Sequence, residues 1–293
     1  MKIAAIDIGS NAARLLINEV KINNRKPEFI KLNLLRIPLR LGMDVFTIGK
    51  IGPEREKMVI DSMKIFSDLM KIYKVDHYRA CATSAMRDAA NGNEIISQVK
   101  ETSGINIEII SGDEEATLIY ENHVAEGLDK EFAYLYIDVG GGSTELTFYE
   151  NGKMVYERSF NIGTIRLLNN LVTIDNWKEM KEEIRKISTA KTNRSHRFGG
   201  NINKVFSMSK TKDGKPMSLS HLKKVHKEFN ELSVEERMTK YSLREDRADV
   251  LVHALNIFNN IMSWSDINRI FVPKISVADG LIQNIYSQLQ HKK

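Results

Sequence analysis

A short pattern occurs twice in this chain, and it restricts the fold more than any other feature of the sequence. Ile3-Ala4-Ala5-Ile6-Asp7-Ile8-Gly9-Ser10-Asn11 reads as a buried strand ending in an aspartate and a tight turn, and Arg14 to Val20 reads as the next strand. The pattern returns about 130 residues later. There Ala133 to Ile137 leads into Asp138-Val139-Gly140-Gly141-Gly142-Ser143-Thr144-Glu145, and Leu146 to Tyr149 follows as a strand. Glu150-Asn151-Gly152 is a hairpin turn into a further strand, Met154 to Phe160. Each copy is strand, turn, strand, turn, strand. Two copies predict two similar α/β domains, residues 1–127 and 128–293, with the boundary near Gly127 to Glu131.

Between the copies the apolar residues change to helical spacing. Pro53 to Tyr73 is a predicted helix with proline in its first turn. A strand at His77 to Ala82, a helix through Lys100, a strand at Ile105 to Ile110 and a helix from Asp113 to Glu126 complete the first half. In the second half helical patterns cover 176–190, Ser220 to Phe229, Arg244 to Met262 and Asp279 to Leu289, with a short strand at Arg269 to Val272.

A chain of 293 residues, 42% hydrophobic and 28% charged, has room for two packed cores. Its single cysteine, Cys81, precludes an internal disulfide and has no evident histidine partner for nucleophilic chemistry. The seven histidines show no zinc-ligand spacing. Asp7, Ser10, Asn11 and Arg14 interrupt the apolar N-terminus before it could serve as a signal segment, and no later apolar run is long enough for a bilayer. A cytoplasmic protein without a membrane partner is expected. Residues 1–150 carry 18 basic and 23 acidic side chains, and the remainder 25 and 15. A basic second half suits a polyanion, but it is joined to no nucleic-acid-binding module.

The two turns are where chemistry is expected. Successive backbone N–H groups in a glycine turn form a concave anion site, so Gly9, Ser10 and Asn11 form one candidate phosphate-binding turn and Gly140, Gly141, Gly142 and Ser143 another. Neither matches the P-loop or dinucleotide fingerprints. Asp7 and Asp138 end their strands where open α/β sheets place ligands. A carboxylate beside phosphate calls for a bridging cation, so Mg²⁺ (or Mn²⁺) is expected, with Asp7, Asp138 and Glu145 as candidate ligands. Glu115 is the candidate for orienting and deprotonating water. Arg87 is a candidate phosphate contact; Arg14 and Arg166 are weaker ones. Gly199-Gly200-Asn201, beside Lys191, Arg194, His196 and Arg197, is a further turn that either steers a polyanion or is a solvated loop.

In these residues the chain resembles the exopolyphosphatase and guanosine pentaphosphate phosphohydrolase (Ppx/GppA) family of the actin-like ATPase superfamily, in its short two-domain form. The resemblance rests on Asp7-Ile8-Gly9-Ser10-Asn11, Ala82-Thr83-Ser84-Ala85-Met86-Arg87, Ser111-Gly112-Asp113-Glu114-Glu115-Ala116 and Asp138 through Glu145, with Leu232 to Arg237 and Arg244 to Asp249 further on. It implies two ribonuclease-H-like domains with mixed five-stranded sheets and an active cleft between them. It also implies Mg²⁺-assisted release of terminal phosphate from polyphosphate, or of the 5′ γ-phosphate from guanosine pentaphosphate, by a monomer or homodimer. By the same resemblance Glu115 is the catalytic glutamate, Asp138 and Glu145 position metal and water, and Arg87 contacts phosphate. Two features depart from the family pattern, Asn201 where a hydroxyl residue is common and no arginine beside Gly280-Leu281, and the extra C-terminal domains of the long family members are not expected. A phosphotransferase and a catalytically weak sensor of guanosine tetra- or pentaphosphate are the alternatives.

Overall fold

A computed structural model describes residues 1–24, 26–125, 133–150, 153–189, 196–200, 202–272 and 276–291. The chain forms two units, Met1–Glu126 with Ile275–Lys293, and Gly127–Lys274.

The first unit follows the chain through β1 (Lys2–Ile8), β2 (Ala13–Asn23), β3 (Lys26–Ile37), α1 (Leu41–Ile48), α2 (Pro53–Tyr73), β4 (His77–Ala82), α3 (Ser84–Asp88), α4 (Gly92–Ser103), β5 (Ile107–Ile109) and α5 (Gly112–Ala125). Its sheet has the order β3-β2-β1-β4-β5; β2 and β3 run antiparallel to their neighbours, and β4 and β5 run parallel to β1. β1 lies at the centre, and Ile3, Ala4, Ala5, Ile6 and Ile8 are all buried, which accounts for its unbroken apolar run. Alternate residues face opposite layers. Ala4, Ile6, Ile8, Ala80 and Ala82 join a core with Val59, Met63, Phe66 and Met70 of α2 and Ile95 and Val99 of α4. Those α2 positions recur three or four residues apart, as a helix packed on one face requires.

The opposite face carries Ile3, Ala5 and Cys81, buried just as deeply. It is covered by the last helix of the chain, numbered α13 below (Val277–His291), which packs on β1, β2, β4 and α5. The sequence expectation placed residues 128–293 together. The last stretch returns instead to the first unit, because one face of its sheet would otherwise expose apolar side chains to water. The approach to α5 is close: a Cβ on Gly280 would collide with the carbonyl oxygen of Leu118. Burial pushes the Cys81 thiol up to about 12, so it is an inert core group.

The second unit contains β6 (Ala133–Val139), β7 (Thr144–Glu150), β8 (Lys153–Phe160), α6 (Thr164–Leu168), α7 (Ile174–Thr189), β9 (His196–Gly200), α8 (Asn203–Met208), β10 (Met217–Ser218), α9 (Leu219–Glu231), α10 (Val234–Tyr241), α11 (Glu245–Ala248), α12 (Leu251–Trp264) and β11 (Arg269–Ile270). Its main sheet has the order β8-β7-β6-β9, with β6 antiparallel to β7 and parallel to β9. This repeats the first sheet, with four strands among the described residues. Even the irregularities correspond: the pairing slips between Ile17 and Asn18 in β2, and between Phe148 and Tyr149 in β7, 131 positions later. Met180, Ile184, Leu222, Phe229, Leu255, Phe258 and Ile261 close the core over Leu135, Ile137, Leu146 and Phe148.

The helical pattern expected over Arg244 to Met262 is divided between α11 and α12. The buried Arg237 of α10 ties this corner together, donating from Nε to the Phe229 carbonyl (2.8 Å) and from Nη1 to the Ala248 carbonyl (3.1 Å). Ser233 and Glu236 form a reciprocal capping box at the start of α10. No helix among the described residues is long and apolar enough to cross a membrane.

Two histidines of this helical layer oppose protonation. Burial lowers the pKa of His226 on α9, and burial, with Arg237 and His226 adding to it, lowers that of His253 on α12. The unfolded chain therefore takes up these protons more readily than the folded one. Their contribution to stability is full above the ordinary histidine pKa of about 6.5 and is lost as pH falls through it toward the folded values. Thermal midpoints are expected to fall between about pH 7.5 and pH 5, and His253→Gln should flatten that slope. An identical slope in the variant would refute this account.

Candidate active site

In the first unit three parallel strands deliver their ends to one place. The turn Gly9–Ala12 follows β1, Thr83 follows β4, and Ile110 follows β5. Backbone bonds join these ends: the Thr83 N–H donates to the Ile8 carbonyl (3.0 Å) and the Ile110 N–H to the Ala82 carbonyl (3.1 Å). A 2.7 Å hydrogen bond between the hydroxyls of Ser10 and Ser84 fixes the turn to the start of α3. One turn further along α3, Arg87 donates from Nη1 to the Ile110 carbonyl (2.8 Å), immediately before the segment that opens α5. Glu115 lies in the first turn of α5, its N–H bonded to the Ser111 carbonyl at 3.0 Å, with a half-buried side chain. The structure thus brings Gly9, Ser10, Asn11, Arg87 and Glu115 to the carboxyl end of one sheet, the edge where open α/β sheets bind ligands.

In the second unit the turn after β6 has the same construction. The Gly9 N–H donates to the Ala12 carbonyl (3.0 Å), and the Gly140 N–H to the Ser143 carbonyl (2.9 Å). Each turn is also backed by a short helix. Gly42 of α1 donates to the Ser10 carbonyl (2.9 Å), and the Arg40 N–H to that of Asn11 (3.0 Å). Correspondingly, Thr164 and Ile165 of α6 donate to the carbonyls of Gly140 (3.0 Å) and Gly141 (2.8 Å), and Arg166 Nε to that of Gly142 (2.8 Å). Arg166 is therefore a brace for the turn. Gly163 permits the close approach, since a Cβ there would overlap the backbone of Gly141 and Gly142.

The carbonyls of this turn are thus occupied from behind. Among the described residues the N–H groups of Gly141, Gly142 and Ser143 find no backbone acceptor. Three successive donors of this kind suit a phosphate oxygen.

The carboxylates divide by copy. In the first copy Asp7 lies opposite Arg14 across β1 and β2, and the pair makes a 2.8 Å ion pair in which Asp7 is buried. In the second copy Asp138 lies opposite Glu145 across β6 and β7, and both are buried. Asp138 stands 131 positions after Asp7, and Glu145 stands 131 after Arg14. The same cross-strand position is thus self-neutralised in one copy and doubly acidic in the other. Ser159, opposite Glu145 on β8, donates its hydroxyl to Glu145 Oε1 at 2.9 Å.

No group of three or more His, Cys, Asp or Glu side chains placed to hold a metal occurs among the described residues. Two buried carboxylates on adjacent strands nonetheless fit a magnesium-like cation, which takes one or two protein carboxylates and completes its shell with water and phosphate. Asp7, engaged by Arg14, fits that role less well. Of the turn after β9, Gly199 and Gly200 end the strand, while Lys191, Arg194 and Asn201 lie outside the described residues.

One participant escaped the sequence reading. Arg79 on β4 binds Glu114, the neighbour of Glu115, at 2.7 Å. An arginine within a short strand carries no local signal for such a contact.

Comparisons with known proteins bear on the family and the fold. The model of the Ppx/GppA phosphatase family matches residues 28–289. Exopolyphosphatase 2 of Mycobacterium tuberculosis is 30% identical over 179 residues, covering 59% of this chain and 56% of that protein. The guanosine-5'-triphosphate,3'-diphosphate pyrophosphatase of Aeromonas hydrophila is 34% identical over 169 residues, covering 57% of this chain and 33% of its own. The chain thus spans about half or less of the length of these curated relatives. The crystal structure of an exopolyphosphatase from Cytophaga hutchinsonii superimposes with a TM-score of 0.83 at 25% identity, covering 99% of this chain and 98% of that one. The family match, over most of the chain, joins the repeated sheet and its paired turns in one conclusion: this chain belongs to the Ppx/GppA phosphatase family.

Proposed function

We propose that this chain is a hydrolase that releases terminal phosphate from inorganic polyphosphate, or the 5′ γ-phosphate from guanosine pentaphosphate, with water as acceptor and a divalent cation, Mg²⁺ or Mn²⁺, as cofactor. The observation that carries the reading is the convergence of the Gly9–Asn11 turn, Arg87 and Glu115 at the carboxyl ends of β1, β4 and β5. An anion-binding turn, a guanidinium and a carboxylate are the parts that phosphoryl transfer to water requires: phosphate oxygens held, charge balanced and the nucleophile oriented.

In this reading Glu115 takes a proton from the attacking water as the bond to the terminal phosphorus forms and the bridging P–O bond breaks. The shortened phosphate chain or guanosine tetraphosphate leaves with the electrons of that bond. Arg87 stabilises charge on phosphate oxygens, and the N–H groups of Gly141, Gly142 and Ser143 offer an anion site in the second unit. Asp138 and Glu145 would hold the divalent cation, with Ser159 fixing one oxygen of Glu145. When bound, such a cation neutralises phosphate charge and polarises the reacting group. Asp7, paired with Arg14, is assigned to supporting the first turn. The protein functions as a monomer or homodimer.

Phosphate release from long-chain polyphosphate, short-chain polyphosphate and guanosine pentaphosphate, at matched concentrations with Mg²⁺, tests the reading. At least one substrate should turn over, and Glu115→Gln should lower kcat by about 10²- to 10⁴-fold while substrate still binds. Ligand binding without release would favour a sensor. Turnover only with an added acceptor alcohol or carboxylate would favour a phosphotransferase.

Glu145→Gln replaces one of two opposed carboxylates. Mn²⁺ binding followed by electron paramagnetic resonance should weaken by roughly tenfold or more. Unaltered Mn²⁺ affinity would remove Asp138 and Glu145 from the cation site.

A further inference from the structure

Glu115 is held by its surroundings on both sides along α5, at the residue before it and at the residue three after it. Glu114 accepts a 2.7 Å bond from Nη2 of Arg79. The same guanidinium reaches Glu108 of β5 from Nε (3.0 Å) and Nη2 (2.8 Å), and its Nη1 reaches Asn284 Oδ1 on α13 at 3.3 Å. One side chain therefore connects β4, β5, α5 and α13. At Leu118 the constraint is steric: Gly280 brings the α13 backbone against the Leu118 carbonyl so closely that any side chain would collide. Asp279 of α13 caps its own helix start, accepting from the N–H (2.9 Å) and hydroxyl (2.6 Å) of Ser276.

The disposition of charges follows from the sheet. Arg79 lies two residues before Cys81 on β4 and opposite Ala5 of β1, on the face covered by α13. Its side chain is largely covered, while its partners Glu108 and Glu114 keep substantial exposure. A surface ion pair is worth little as stability. Three partners from three elements on one rigid planar fork instead specify position.

From these contacts we infer that Arg79, acting through Glu114, is a positioning residue for Glu115, and that α13 is the wall against which α5 is set. The inference rests on Glu115 being the group that activates water. The reaction needs that carboxylate within hydrogen-bond reach of the attacking water, and a displacement of about 1 Å can cost 10²-fold in rate. The first turn of an isolated helix frays readily. Binding Glu114 to the sheet through Arg79, and Leu118 to α13 through Gly280, confines Glu115 between two fixed points.

The test is a kinetic double-mutant cycle on the full-length protein. Glu114→Ala and Arg79→Lys are each made in the wild-type and Glu115→Gln backgrounds. Glu114 is nearly half exposed, so its truncation leaves folding intact even if Arg79→Lys does not. In the wild-type background each is expected to lower kcat by about ten- to a hundredfold with KM for the phosphate substrate unchanged. In the Glu115→Gln background each should produce no further loss, because the group being positioned is gone. An equal loss in both backgrounds would show that Arg79 and Glu114 only support the fold, and would overturn the inference while leaving the catalytic reading intact. Wild-type turnover in Glu115→Gln alone would overturn the reading and the inference with it.

Discussion

In both sheets the chain leaves its central strand through a turn closed by its first N–H, which donates to the carbonyl three residues later. The start of a short helix then donates to carbonyls of each turn from behind. A peptide turn offers donors and acceptors in equal number, so an empty one has no preference for anion over cation. Saturating the acceptors with bonds from α6 and Arg166 leaves Gly141, Gly142 and Ser143 presenting donors alone. The anion preference of the second turn thus comes from its backing helix as much as from its glycines. Gly163, which lies outside the turn, is as necessary to it as Gly140.

Repetition of this construction makes the one substituted position informative. Directly opposed side chains in an antiparallel pair have Cβ atoms about 5 Å apart. At that separation two unit charges interact by about 3 kcal/mol at an effective dielectric of 20. In the first copy the interaction is attractive, between Asp7 and Arg14. In the second, two buried carboxylates, Asp138 and Glu145, face one another. Two carboxylates at one cross-strand position are the donor set that a hard divalent cation takes. The two turns are alike in backbone and differ in their carboxylates: an ion-paired one in the first, two opposed ones in the second. This is the basis for assigning the cation to the second copy and the buttressed glutamate to the first.

These features differ in how far the sequence could disclose them. The strands and turns were legible because they are local: an apolar run, an aspartate and a glycine-containing turn recur within a dozen residues of each other, twice. The pairing of Asp7 with Arg14 followed from hairpin register, yet Arg14 read as a phosphate contact because its partner is fixed by a slip-free ladder that only the structure supplies. Membership of α13 in the first unit left no local trace. Its apolar spacing fits either core, and what decides is the exposed face of a sheet formed some 270 residues earlier. Arg79 was invisible for the same reason, since its partners come from β5, α5 and α13.

The return of α13 ties the local site to the whole chain. Ile3, Ala5 and Cys81 are buried only once residues 277–291 have arrived, so the first sheet completes its second layer through its most distant contacts in sequence. Contacts of that span are costly to form early and mark slow, late steps in folding. α5 packs on α13 and therefore takes its final position in the same step. The second unit is inserted in sequence between these two helices. Glu115, one turn into α5, thus acquires its final setting only when the chain on both sides of the insertion has come together, and the first unit becomes a competent scaffold as it becomes a complete fold.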